Sequence, residues 1–155
     1  AGILISIFEF LPWLAIQFTA MTIASSIGVW MFYVQHQFED AYWVDSEDWD
    51  YTTAAIEGSS FYKLPKVLQW FSGNIGFHHV HHLSPMIPNY HLEMCHRSDP
   101  LFQAAKQITL WSSLKTTNHR LWDEDAKKLI GFRQLKRQLR EGKSEDAEVA
   151  LRKAA

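Results

Sequence analysis

Hydrophobic and polar positions divide this chain into two unlike parts. Residues 1–35 contain no Lys, Arg or Asp and one acid, Glu9. From Phe10 to Val34 the chain reads FLPWLAIQFTAMTIASSIGVWMFYV, 25 residues without a charge. At ~1.5 Å per residue, a helix of that length crosses a bilayer with some tilt, so the pattern predicts a transmembrane span over about residues 10–34. A buried helix of a water-soluble protein is the alternative, although uncharged runs of about 18 or more residues usually span. Small and hydroxyl side chains in the run (Ala20, Ala24, Ser25, Ser26, Gly28) are the kind that close helix packing uses. The preceding AGILISIF is apolar but too short to span, and it lacks the basic start of a signal peptide. It reads as the end of an earlier apolar helix, which makes the chain the C-terminal part of a longer protein.

Beyond the span the periodicity becomes that of amphipathic pieces. Leu64, Val67, Leu68 and Phe71 form one helical face with Lys63, Lys66 and Gln69 opposite, and Pro65 suits a first helical position. That predicts a short helix lying along a membrane interface. Gly73 and Gly76 bracket Asn74, allowing a bend or a close backbone approach. Ser84-Pro85 and Ile87-Pro88 forbid helix, so any helix before them ends there. Asp99-Pro100 is a helix start, followed by a stripe of Leu101, Ala104, Ala105, Ile108, Trp111 and Leu114. A further helix is predicted from about Asp123 to Arg140, with Leu129, Ile130, Leu135 and Leu139 as its face. From Gly142 the tail is rich in Lys, Glu and Ala and is predicted to fray. The expected fold class is all-α: an integral membrane helical protein with one full transmembrane helix, an interfacial helix and cytoplasmic C-terminal helices. The cytoplasmic side follows from the positive-inside rule, since every Lys and Arg lies at or after Lys63.

Composition refines this picture. The mean hydropathy of −0.19 averages the two parts and conceals the span. A net charge of −2 offers no electrostatic footprint for nucleic acid, and no nucleic-acid partner is expected. Cys95 is the sole cysteine, so no disulfide or cysteine-based zinc site forms within the chain. Residues 39–50 carry six acids (Glu39, Asp40, Asp45, Glu47, Asp48 and Asp50), which read as a solvated loop. Tyr42, Trp43, Trp49 and Tyr51 suit a belt at the level of lipid headgroups.

The chemistry concentrates in His78-His79-Val80-His81-His82, four of the chain's eight histidines. Neutral imidazole is the commonest protein ligand of transition metals. On a helix, His78, His81 and His82 stand at i, i+3 and i+4 and share a face, while His79 points elsewhere. A solvated histidine run is the alternative, but packing does not call for several adjacent imidazoles. His36 stands where the apolar span ends, a position at which an ionisable group is a functional candidate. His91 and His96 read as surface or hydrogen-bonding residues and His119 as a connector. No HExxH, GxGxxG, phosphate-binding loop or serine-elbow motif occurs. Imidazole-rich sites take Fe, Cu, Zn or Ni, and spacing alone does not choose among them.

The segment from Tyr33 to Asn89 resembles the membrane fatty acid desaturases, in particular the acyl-lipid desaturases of the delta-12/omega-6 kind. His78-His79-Val80-His81-His82 is similar to that family's third histidine box, HxxHH, and Leu83 to Tyr90 is similar to the segment that follows it. Gln35-His36, with Phe38 to Tyr42 behind it, resembles the end of the family's last transmembrane helix. The resemblance implies that His36, His78, His81 and His82 bind iron, with His79 at a variable position. It implies two irons in the complete protein, O2-dependent introduction of a double bond into an acyl chain held by lipid, CoA or carrier protein, and a donor such as ferredoxin or cytochrome b5. Membrane lipid is a further implied partner. Residues 1–98 are then the C-terminal part of a desaturase domain, and 99–155 a cytoplasmic helical tail. The family's first and second histidine boxes do not occur in this chain, so the chain alone is expected to bind iron weakly and not to turn over. Glu39, Asp40 and Asn74 are candidates for orienting the imidazoles. Two readings compete: another histidine-rich membrane di-iron oxygenase, such as a hydroxylase or carotenoid ketolase, and a non-catalytic membrane metal-binding protein.

Overall fold

The structure, a computed structural model, describes residues 2–3 and 9–142. The predicted fraying tail lies outside the described residues but for its first, Gly142, as does most of AGILISIF. The chain forms two compact units, Ala1–Tyr33 and Val34–Ala155.

Helix α1, Phe10–His36, is the predicted span, extended by two residues at its C-terminal end. Its 27 residues make it about 40 Å long. Apolar residues occupy every side of it, and Leu11, Phe18, Val29 and Phe32 are all exposed. A helix that is apolar all round suits lipid. It is the one described helix long and apolar enough to cross a membrane.

The second unit is built from short pieces. In chain order they are α2 (Tyr51–Glu57), β1 (Phe61–Lys63), α3 (Lys66–Phe71), α4 (His78–Leu83), a 3-10 turn (Asn89–His91), α5 (Leu92–Ser98), α6 (Pro100–Gln103), β2 (Gln107–Thr109), α7 (Leu110–Thr116), β3 (Leu121–Asp123) and β4 (Lys128–Ile130). A last helix occupies residues 132–142. The fold is therefore mostly helical rather than all-α. β1 and β2 pair in parallel, with Tyr62 opposite Ile108, and β3 and β4 form an antiparallel hairpin.

Two predicted helices are corrected by these strands. The stripe from Leu101 to Leu114 breaks at β2, because Phe61 donates to the Lys106 carbonyl at 2.8 Å and draws the segment alongside β1. Ile108 is buried there, and β-branched residues suit a strand. Thr109 then caps α7 by a reciprocal pair with Ser112. The helix expected from Asp123 begins only at residue 132. Asp123 instead accepts from the backbone of Asp125 and Ala126, at 3.2 and 3.0 Å. A side chain that can cap a helix caps a turn equally well. Asp99, by contrast, does cap a helix, accepting from Leu101 with Pro100 at the first position.

Phe61, Phe77, Val80 and Leu92 make the core, with Ile87, Cys95 and Phe102 packed against it. The Phe61 and Phe77 rings stack at 4.7 Å. Gly76 brings its backbone against β1, where its carbonyl accepts from Tyr62 at 2.8 Å. A Cβ at Gly76 would overlap the Tyr62 carbonyl and the Gln69 amide, so the close approach requires glycine. On α3 the apolar side chains Val67, Leu68 and Phe71 stand open, as on an interfacial helix, and the placing of Gln69 on the polar side is corrected. Gln69 is buried, whereas Val67, Trp70 and Phe71 point outward. Pro65 precedes the helix instead of starting it.

Candidate metal centre

Three elements deliver the histidines. His36 ends α1, and the residues around it are stitched into the second unit. Gln35, almost fully buried, donates to the Ile75 carbonyl at 2.8 Å and accepts from the Ser60 amide at 2.9 Å. Gln37 donates to the His119 carbonyl at 2.7 Å. His78 and His82 sit one turn apart on α4, which starts after Phe77 and stops at Leu83, before Pro85 as the sequence requires. The third element is α2, which Asp50 caps by accepting from Thr53 at 2.7 Å. Its first residue, Tyr51, puts a hydroxyl 2.8 Å from the His82 carbonyl and 3.0 Å from that of Leu83. It donates there as a shared bond and closes the carbonyl end of α4.

His36, His78 and His82 converge, with one ring nitrogen of each within 4.8 Å of the others. The His36 and His82 Nε2 atoms are 3.0 Å apart, as are those of His82 and His78. Two imidazole nitrogens bound at right angles to one metal at ~2.1 Å stand about 3.0 Å apart. These separations therefore fit ligands of a shared ion. Burial, reinforced by His82, His36, His81 and His79, pushes the pKa of His78 down to about 3. Burial also lowers that of His82, with His36 and His81 adding to it. Both rings are thus neutral at pH 7, the form that binds metal. His78 Nδ1 is buried without a hydrogen-bond partner among the described residues. A metal-bound imidazole ordinarily donates that second N–H.

His81 stands beside the trio but not in it. Its ring stacks on His78 at 5.7 Å and lies 6.3 Å from His82. His79 turns to the opposite side, fully buried, and meets His96 Nδ1 at 3.0 Å through its Nε2. His96 is thus a hydrogen-bonding histidine, as expected. His91 packs on Tyr90, and His119 sits in the connection before β3.

The two acids and the amide expected near the imidazoles are engaged elsewhere. Glu39 pairs with Lys128 at 3.1 Å, Asp40 pairs with Lys106 at 2.6 Å, and Asn74 donates to the Asn89 carbonyl at 3.0 Å. Tyr51 is the supporting residue that sequence reasoning assigned differently. The Asp50 cap signal was present, but only the fold brings α2 against α4. Beside His36 opens a cavity of about 590 Å³ walled by Trp43, Val44, Trp49, Trp122 and Leu129.

An imidazole trio, one member of which ends a long apolar helix, defines a candidate metal centre. The sequence model of the family "Fatty acid desaturase" matches residues 1–113. A fatty acid desaturase of Bacillus subtilis (strain 168) is 54% identical over 130 residues, which cover 84% of this chain and 37% of that protein. The chloroplastic omega-6 fatty acid desaturase of Glycine max is 30% identical over 91 residues, 59% of this chain and 20% of that protein. No solved structure matches the chain. The chain belongs to the fatty acid desaturase family. It spans little more than a third of the first relative's length and a fifth of the second's.

Proposed function

We propose that this chain carries part of the iron centre of an O2-dependent acyl-chain desaturase of the delta-12/omega-6 kind. The observation that carries this reading is the convergence of the His36, His78 and His82 nitrogens within 4.8 Å, in a chain of that family. These three are the proposed ligands of one iron. His81, whose ring stands outside the trio, is the proposed ligand of the second. Three or four imidazoles fill only part of a two-iron ligand set, so further histidines of the whole protein complete it. Bound iron supplies the removal of two hydrogens from adjacent methylenes, a reaction side chains alone do not perform. Burial keeps His78 unprotonated and available as a ligand. Tyr51 and the Gln35 contacts hold the backbone segments that carry His82 and His36. The tryptophan-walled cavity beside His36 accepts the alkyl chain and keeps water from it. The cluster and the C-terminal half face the cytoplasm, where a ferredoxin or cytochrome b5 type of donor reaches them. Residues 99–155 form the cytoplasmic tail and 1–98 the desaturase part.

The test is production of the whole protein that contains this chain in a host membrane, with fatty acids analysed by mass spectrometry. Wild type yields a new double bond. His78→Ala and His82→Ala yield none and retain at least ~10-fold less iron after purification, a loss in the range seen even for supporting residues of metal sites. A hydroxylated product without an alkene would move the site to the hydroxylases. Iron-free wild-type protein would remove the di-iron reading. The chain by itself is expected to bind iron weakly and to show no turnover.

A further inference from the structure

Helix α4 is six residues long, and a helix that short takes its orientation from its packing. Around its axis His78 and His82 stand roughly 40° apart, with His79 and Val80 turned away from both. Val80 is fully buried in the core with Phe61, Phe77 and Leu92. Apolar contacts of this kind hold α4 down, but they are non-directional and leave it free to roll. His79 supplies a directed contact. It is fully buried, and its Nε2 meets His96 Nδ1 at 3.0 Å, the two rings standing edge to face at 81°. A hydrogen bond weakens steeply when its partners leave the line, so this one resists a roll. His96 is itself held. Its ring lies 4.7 Å from that of Phe61 and 5.2 Å from that of Phe77, and the buried Leu92 anchors the start of its helix, α5.

We propose that His96 is a positioning residue of the metal centre, acting through His79 to fix the roll of α4 and with it the approach of His78 and His82 to His36. The inference rests on the reading of the trio as a metal centre. The geometry leaves little slack. Side-chain tips lie ~5–6 Å from a helix axis, so a roll of ~20° carries them through about 2 Å. Metal-ligand distances tolerate only about 0.2 Å. His96 is 14 residues beyond His82 and touches no member of the trio, yet the one hydrogen bond to His79 ties it to the helix that carries two of them.

The test uses the full chain in neutral detergent, with carbon-13-labelled histidine, and cobalt(II) as the probe metal. Two variants separate hydrogen bonding from packing. His96→Leu keeps an apolar side chain over Phe61 and Phe77 and removes the hydrogen bond. His96→Asn loses the ring and keeps an amide that can donate or accept near the place of Nδ1. In the metal-free chain, His96→Leu should shift the ring cross-peaks of His78 and His82 in proton–carbon NMR spectra and leave that of His119 in place. His96→Asn should return them towards wild type. Cobalt(II), followed by its ligand-field absorption, should bind His96→Leu about tenfold more weakly, the low end of the range for residues that orient metal ligands, with recovery in His96→Asn. Unmoved His78 and His82 peaks in His96→Leu overturn the proposal. So does a shift of His119 along with them, which would mark general loosening, and so does equal cobalt affinity in wild type and His96→Leu. A wild-type cobalt spectrum that survives His82→Ala overturns the metal-centre reading instead, and the ring peaks then decide alone whether His96 sets the trio.

Discussion

At the scale of single residues, the buried imidazoles set both the chemistry and a liability. His78 and His79 have pKa values pushed by burial to about 3 and about 4, below the 6.5 of a free histidine. As pH falls past 6.5, the unfolded chain takes up protons that the folded chain refuses. Their contribution to stability is therefore complete above pH 6.5 and is lost progressively towards pH 4 and 3, at up to ~1.4 kcal/mol per pH unit for each. Thermal unfolding of the metal-free chain in neutral detergent should show a midpoint that drops steadily from pH 7 to pH 4.5. A flat midpoint across that range would contradict the burial of these rings. Tyr51 acts at the same scale. Tyr51→Phe removes one shared hydrogen bond to the end of α4 and leaves the carbonyls of His82 and Leu83 short of a donor. Water can reach these exposed carbonyls, so we expect a loss of about 0.5–1 kcal/mol, read as a shift in the denaturant midpoint at constant slope. Little of this was legible in the sequence. The histidine spacing gave His78 and His82 as neighbours on one face, and the end of the apolar run singled out His36. That Tyr51 serves α4 depends on a contact 31 residues away in the chain, and no local pattern encodes it.

At the scale of elements, the well-read pieces are those bounded by strong local signals. α1 follows from 25 uncharged residues, α4 ends where proline compels it, and α6 begins at Asp99-Pro100. The misread pieces are those in which a helical period met a tertiary partner. Residues 107–109 carry apolar spacing compatible with a helix, yet they pair with β1, whose free edge offers backbone hydrogen bonds. Likewise Asp123 offers a cap, and a tight turn takes it. α3 is the instructive case. Its period and its open apolar face were right, and Gln69 alone was misplaced, because Gly76 leaves room for its amide to enter. Gly76→Ala should therefore be severe. The added methyl meets both the Tyr62 carbonyl and Gln69, and overpacking of this kind costs about 1–3 kcal/mol. Hydrogen exchange should show the loss concentrated in β1 and α4, and uniform protection there would argue against the packing described.

At the scale of the whole molecule, the second unit is held together by contacts between residues far apart in the chain. β2 secures β1 across 46 residues, and Leu129 donates to the Glu39 carbonyl at 2.8 Å, just after His36. A chain ended after residue 106 should lose β1 order and the His36–His82 approach, detected as increased exchange of the Phe61 to Lys63 amides. Unchanged protection would assign β2 a decorative role. The parallel pairing of β1 with β2 also has a temporal meaning. Chains grow at about 5–20 residues per second, so Thr109 leaves the ribosome roughly 1–5 s after His82, the fifth of the eight histidines. For that interval the nascent chain already exposes most of its histidines while the strand that braces them has yet to be made. Metal insertion into an ordered trio must wait for the later segment, and a cell that translates this message slowly prolongs the interval in which loose imidazoles face any ion that arrives.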